Sequence, residues 1–225
     1  MKTPSHKLEN FLCWLDQTSL NRAEIMPGFS EGVRHLRLDK SGLAERGWND
    51  LSIHWQPPEG ELWAGGYMED RSIYDSPVFA TKGEEPRTLH LGLDVFTGPG
   101  TPVFAPLEGA VHSLQINGGE LDYGPTILLE HTPEPDLIFW TLYGHLSEES
   151  LIGLEPGDPV STGEKLAELG ANTENGGWSP HLHFQIILDL QGREGDFPGV
   201  CRLSEAQTWK AICPDPAKFL GLRYI

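Results

Sequence analysis

Two histidines separated by one residue, His181 and His183, are the chain's most suggestive chemical feature. They stand in Pro180-His181-Leu182-His183-Phe184-Gln185-Ile186. Successive side chains of a β-strand point to opposite faces, so Leu182, Phe184 and Ile186 can enter a core while His181, His183 and Gln185 share the other face. Two imidazoles on one stiff face suit a metal, or one metal ligand beside one base. An earlier stretch, Leu89-His90-Leu91-Gly92-Leu93-Asp94-Val95-Phe96, alternates in the same way. Its even spacing predicts a strand with His90 and Asp94 on one face, and Gly92 between them leaves room for something to approach. His90, Asp94 and one histidine of the later pair would make three ligands with an open fourth position. That is the coordination of a catalytic zinc rather than a structural one.

The elements that must position these residues are mostly short strands. The pattern predicts strands over residues 88–96, 102–105, 109–116, 125–131, 138–145, 165–169 and 181–188, punctuated by Gly and Pro. This is the rhythm of a mainly β, antiparallel sandwich or partly open barrel. Ahead of it, residues 5–17 predict an amphipathic helix capped by Ser5, with Leu8, Phe11, Leu12 and Leu15 on its apolar face. Residues 20–65 are mixed and rich in Gly and Trp; Trp48, Trp55 and Trp63 are expected to pack rather than to bind a sugar. Tyr67, Arg71 and Tyr74 are expected to pack this segment against the β domain, or else to line a cleft. Ser204-Glu205-Ala206-Gln207 predicts a capped helix to about Ile212, stopped by Pro214 and Pro216. The expected division is an N-terminal helical and irregular extension, residues 1–75, followed by a β domain with a C-terminal helix, residues 76–225.

The chain has 225 residues and a formal net charge of −17, which argues against nucleic acid or an anionic membrane as partner. Cys13, Cys201 and Cys213 form no CxxC pair and are expected to be free thiols in a reducing compartment. No apolar core of a signal peptide and no membrane-spanning apolar run is seen, so the expectation is a soluble, cytoplasmic protein.

Four blocks occur in order: Arg87-Thr88-Leu89-His90-Leu91-Gly92-Leu93-Asp94, Gly100-Thr101-Pro102-Val103-Phe104-Ala105-Pro106, Tyr143-Gly144-His145-Leu146-Ser147 and Pro180-His181-Leu182-His183-Phe184. Together they resemble the lysostaphin/LytM-type zinc endopeptidases over about residues 76–190. The resemblance implies the LytM barrel-sandwich hybrid fold, one Zn²⁺ per chain held by His90, Asp94 and His183, His181 as general base, and His145 as a hydrogen-bond donor to the developing oxyanion. It implies a peptide substrate, of peptidoglycan type or another glycine- or D-amino-acid-containing peptide. The loop before His181 departs from the short turn usual in that family and places Trp178 close to the cleft. The Gly176-Gly177-Trp178 block and Cys213-Pro214-Asp215-Pro216 also resemble a subgroup found as one module of longer cytoplasmic chains, which would suit an intracellular peptide or small amide substrate.

Two other readings share these residues. A non-catalytic LytM-like module would bind and regulate another protein, although such modules usually lose ligands that this chain keeps. A cupin-like iron oxygenase could use two His and one carboxylate, but it would carry a Glu shortly after His-x-His, where Gln185-Ile186-Ile187-Leu188 stands here. His6, His35 and His54 are expected at the surface or in loops. His112 and His131 lie in strands without a ligand partner, and His131 is expected to be structural.

Overall fold

A computed structural model describes residues 4–17, 22–48, 55–71, 74, 79–80 and 83–225. In chain order its elements are α1 (Pro4–Gln17), β1 (Arg34–Leu36), α2 (Lys40–Arg46), β2 (Trp63–Gly65), β3 (Leu89–His90), β4 (Leu93–Phe96), β5 (Pro102–Phe104) and β6 (Gly109–Asn117). There follow β7 (Gly124–Glu134), β8 (Leu137–Gly144), β9 (Pro159–Val160), β10 (Lys165–Glu168), β11 (His181–Ile187), β12 (Val200–Cys201), α3 (Ala206–Ile212) and α4 (Pro216–Leu220). The fold is mainly β. One open eight-stranded sheet runs β1-β2-β4-β11-β8-β7-β6-β9, and two ribbons pair β10 with β5 and β12 with β3. Every pair is antiparallel except β1 and β2, which run parallel at one edge. Among the described residues, no helix is long and apolar enough to cross a membrane.

The core lies under β11 and β8. Leu182, Phe184 and Ile186 are fully buried there, as the alternation of β11 demands. α1 closes this core by laying Phe11 against Phe139 at 5.1 Å between ring centroids, with Trp14 at 5.4 Å from the same ring. Phe219 of α4 stacks on Phe184 at 6.2 Å. Each buried side chain of this size is worth about 1.5–3 kcal/mol of transfer free energy, so α1 holds the back of β8 and α4 that of β11.

The sequence expectations need several corrections. Residues 88–96 are not one strand. The chain bends at Leu91-Gly92; β3 pairs with β12, and β4 pairs with β11 and β2. Leu91 N–H donates to Gly199 O at 2.9 Å, which draws β3 out of the main sheet. Ser5 lies inside α1, which already starts at Pro4, so it does not cap the helix. Leu12 is 42% exposed, and Trp14 takes the place expected for it on the apolar face. Ser204 donates to Glu85 instead of capping α3, whose first turn is preceded by a short 3₁₀ turn. α3 ends at Ile212, before Pro214 and Pro216 as expected, and Pro216 also opens α4, where its missing N–H costs nothing. Residues 1–75, expected to be helical and irregular, contribute β1 and β2 to the main sheet. Trp48, Trp55 and Trp63 pack together with Phe96, Leu36 and Leu43, as expected.

One row across the sheet matters most. Gly65 of β2 lies opposite Asp94 of β4, Asp94 opposite His183 of β11, and His183 opposite Gly144 of β8. Two polar side chains therefore stand side by side, with a glycine on each flank leaving space above it.

Candidate metal centre

His90, Asp94 and His183 are brought to one point. His90 Nε2 lies 3.0 Å from His183 Nδ1 and 3.2 Å from Asp94 Oδ1, and His183 Nδ1 lies 2.9 Å from the same oxygen. All three residues are buried. His90 is pinned from both sides: its N–H donates to Glu69 O and its carbonyl accepts from Met68 N–H, while β12 pairs along its other edge.

The outer atoms of the rings decide what the inner atoms can do. His183 Nε2 lies 2.9 Å from Gln185 Oε1, and the Gln185 amide is oriented because its Nε2 donates to Pro198 O and to Cys213 Sγ. His90 Nδ1 lies 3.4 Å from Gly66 O. Both partners are acceptors, an arrangement that suits the tautomer with protons on the outer nitrogens and lone pairs on the inner ones. Burial, with Arg71 nearby, pushes the His90 pKa down to about 3. Burial also pushes Asp94 upward, but the basic groups around it, with Arg71 in direct contact, outweigh burial and hold the carboxyl well below the usual carboxylate range. Two ring nitrogens and a carboxylate oxygen thus face one another at about hydrogen-bond distance. Such a triangle calls for a cation. Tetrahedral zinc with bonds of about 2.0–2.1 Å sets its ligands roughly 3.3 Å apart, within a few tenths of an ångström of the edges of this triangle. The two nitrogens and one carboxylate oxygen are also a donor set that suits zinc. The site fits a metal.

His181 and His145 stand beside the triangle. His181 Nδ1–H donates to Ser179 O at 2.7 Å, and its Nε2 lies 3.7 Å from Asp94 Oδ1. Phe96 stacks on its ring at 4.6 Å. His145 follows the last residue of β8 with φ 64°, a left-handed conformation that turns its side chain back over the sheet. Its Nδ1–H donates to Asn175 O at 2.9 Å, and its ring is 4.2 Å from that of His181. Burial lowers the pKa of both histidines, for His145 well below the ordinary value. The five residues line a groove of about 420 Å³ whose walls include Tyr74, Tyr123, Trp178 and Phe197. Trp178 stands where the loop departure placed it.

Four further residues shape the centre. Gln185 shares the His-x-His face by period two, and that spacing was its signal. Tyr123 fills the space above Gly144, where a Cβ would meet its ring at 2.6 Å, and brings its Oη to 3.4 Å from His183 Nε2. Asn175 ties the loop before β11 to His145. Arg71 reaches Asp94 from the N-terminal segment rather than only packing it. Tyr74 lines the groove, and Tyr67 donates instead to Cys213 O. Of the remaining histidines, His6 is exposed, His35 packs at a tilt against Tyr224, His112 contacts Ser113, and His131 is buried between Glu108 O and Thr141. His54 lies outside the described residues.

Residues 88–195, the span that contains all five site residues, match peptidase family M23. This segment is a peptidase M23 domain. The resemblance to the lysostaphin/LytM type seen in the four sequence blocks therefore holds. An uncharacterized metalloprotease of Haemophilus influenzae is 35% identical over 164 residues, which cover 70% of this chain and 32% of that protein. The chain thus spans about a third of the length of that relative. Among solved structures, a zinc-containing peptidase from Vibrio cholerae is 30% identical, with 44% of this chain and 27% of that chain covered, at a TM-score of 0.36. The catalytic domain of lysostaphin from Staphylococcus simulans is 27% identical, with 60% and 80% covered, at a TM-score of 0.39.

Proposed function

We propose that this M23 domain is a zinc-dependent metalloendopeptidase that hydrolyses a peptide amide bond, with one Zn²⁺ per chain held by His90, Asp94 and His183. The observation that carries the reading is the convergence of two ring nitrogens and one carboxylate oxygen in a groove. Zinc bound there supplies a Lewis acid and a water of lowered pKa.

The chain's own residues handle substrate and proton. His181 keeps one proton on Nδ1 for Ser179 O, so Nε2 is a bare acceptor next to the ligand triangle. It takes the proton of the attacking water and passes it to the leaving amine. His145 likewise gives Nδ1–H to Asn175 O. Its Nε2 donates to the substrate oxyanion only while it carries a proton, so this role requires His145 to gain one during the cycle. Phe96 and Trp178 lie against the two rings and keep water from them. The groove accepts a short peptide segment, of peptidoglycan type or another glycine- or D-amino-acid-containing peptide. Cys201 and Cys213 are buried in one cluster and remain thiols, as does Cys13, which suits a reducing, cytoplasmic setting.

The test is elemental analysis followed by hydrolysis assays. Wild type is expected to hold about one zinc and His183→Ala none, while His181→Ala keeps zinc and loses about 100-fold or more in hydrolysis. A wild type without metal after zinc is offered rejects the metal reading. A wild type that holds zinc but leaves every peptide intact makes the domain a non-catalytic binding module.

A further inference from the structure

Arg71 is 1% exposed, the largest of the fully buried side chains. Its Nη1 donates to Asp94 Oδ2 at 2.5 Å and to Tyr74 Oη at 3.0 Å, and its Nε donates to Glu69 Oε2 at 2.8 Å. The other oxygen of Glu69, Oε1, accepts from Leu38 N–H at 2.8 Å. Gly65 makes the space for this guanidinium. It lies opposite Asp94 in the sheet, and a Cβ there would stand 2.6 Å from Arg71 Nη2. Among the described residues, Nη2 has no hydrogen-bond partner.

Burying a guanidinium and two carboxylates costs several kcal/mol per ion, and well-packed apolar groups of the same volume would often be as stable. Core stability alone therefore does not account for the arrangement. The division of Asp94 does. Its Oδ1 faces His90, His183 and His181, and its Oδ2 is taken by Arg71. Arg71 is not among the described residues that line the groove, so it acts on the site through Asp94.

We infer that Arg71 is a positioning residue for the metal centre: it occupies Asp94 Oδ2, so that the carboxylate offers the metal one oxygen, and it offsets the carboxylate's charge. This rests on the zinc reading above. One-oxygen ligation keeps the coordination number low and a position open for water and substrate. Partial neutralisation of Asp94 leaves more positive charge on the bound cation. The chain Leu38–Glu69–Arg71–Asp94 also makes the metal centre depend on residues of the N-terminal segment, far from the histidine motifs in sequence.

The experiment compares the full chain with Arg71→Met and Arg71→Lys. Zinc affinity is measured by competition with a chromophoric chelator, the visible spectrum of the Co²⁺-loaded protein reports coordination number, and circular dichroism checks the fold. Arg71→Met is expected to weaken zinc binding about 10–100-fold and to lower the Co²⁺ absorption intensity as Asp94 swings to two-oxygen ligation. Arg71→Lys retains a buried charge and keeps the variant folded where Met does not. Its point charge cannot hold Asp94 and Glu69 together, so a several-fold loss is expected. Wild-type affinity together with a wild-type cobalt spectrum in the folded variants overturns the inference and leaves the zinc reading standing. A wild-type protein that binds neither metal overturns both.

Discussion

Adding one methyl group at Gly92 should dismantle the metal centre. Gly92 lies in the bend between His90 and Asp94, and its backbone is not in the left-handed region. The glycine is needed there for space. A Cβ at this position would meet His183 Cε1 and Nε2 at 2.6 Å and Phe184 O at 2.7 Å. Ordinary contact begins about 0.8 Å further out. Phe184 cannot retreat, because β11 is paired on both sides and its ring is locked in the core. The His183 ring must move instead. It now holds 2.9 Å to Asp94 Oδ1 and 2.9 Å to Gln185 Oε1, whereas a metal bond tolerates only about 0.2 Å. A shift several times that large removes one of the three proposed protein ligands. Gly92→Ala is therefore expected to lower zinc affinity by at least about 100-fold. Overpacking of this kind costs about 1–3 kcal/mol, or roughly 2–12 °C in Tm for a chain of this size. Two assays separate the effects: zinc competition titration, and thermal unfolding with chelator present. Wild-type zinc affinity and an unchanged Tm in Gly92→Ala would refute the close approach of the ring, and with it the account of why a glycine stands between the two ligands.

Two other outcomes follow from buried polar groups. His131 is fully buried, and burial pushes its pKa down to about 4 against an ordinary 6.5. The unfolded chain takes up the proton first as pH falls, so stability is full above pH 6.5 and declines towards pH 4. The gap is worth roughly 3 kcal/mol. In chelator-treated protein, the stability difference between wild type and His131→Gln should therefore change by about that much over this window; parallel curves would remove the role. Asn175 is fully buried; its Nδ2 donates to Gly170 O and Trp178 O, and its Oδ1 accepts from Trp178 N–H at 3.0 Å. Asn175→Ala leaves those backbone groups unpaired, at a cost of about 1–3 kcal/mol each where they stay dry. Faster amide exchange at Trp178 and weaker hydrolysis are expected, and unchanged exchange would show that the loop holds itself.

Much of the centre was legible because strand periodicity is a local property. Period two places His181, His183 and Gln185 on one face of β11 and Leu182, Phe184 and Ile186 on the other, whatever the strand packs against. The spacing of His90 and Asp94 carried the right partnership for an incomplete reason. The two reach one point across a bend, with β3 and β4 in different sheets, because Leu91 pairs with Gly199 and Gly92 yields to His183. No local pattern encodes a pairing partner so distant in the chain. Helix ends were misread for a similar reason. The hydroxyl of Ser204 had two possible uses, and a carboxylate from another segment, Glu85, took it.

By itself, then, the sequence determined which side chains are candidates for the chemistry and that a mainly β frame presents them. Donor types and two-residue spacing are written in the chain. Only the tertiary structure decided how those donors are held. Gly66 O and Gln185 Oε1 stand as acceptors against the outer ring nitrogens of His90 and His183. The second oxygen of Asp94 is taken by a buried arginine that sequence reading had expected to pack the N-terminal segment against the β domain or to line a cleft. Glycines at positions 65, 92 and 144 serve as spaces for Arg71, His183 and Tyr123. These are relations between segments far apart in sequence, and they acquire an energy only when folding has excluded water from between them.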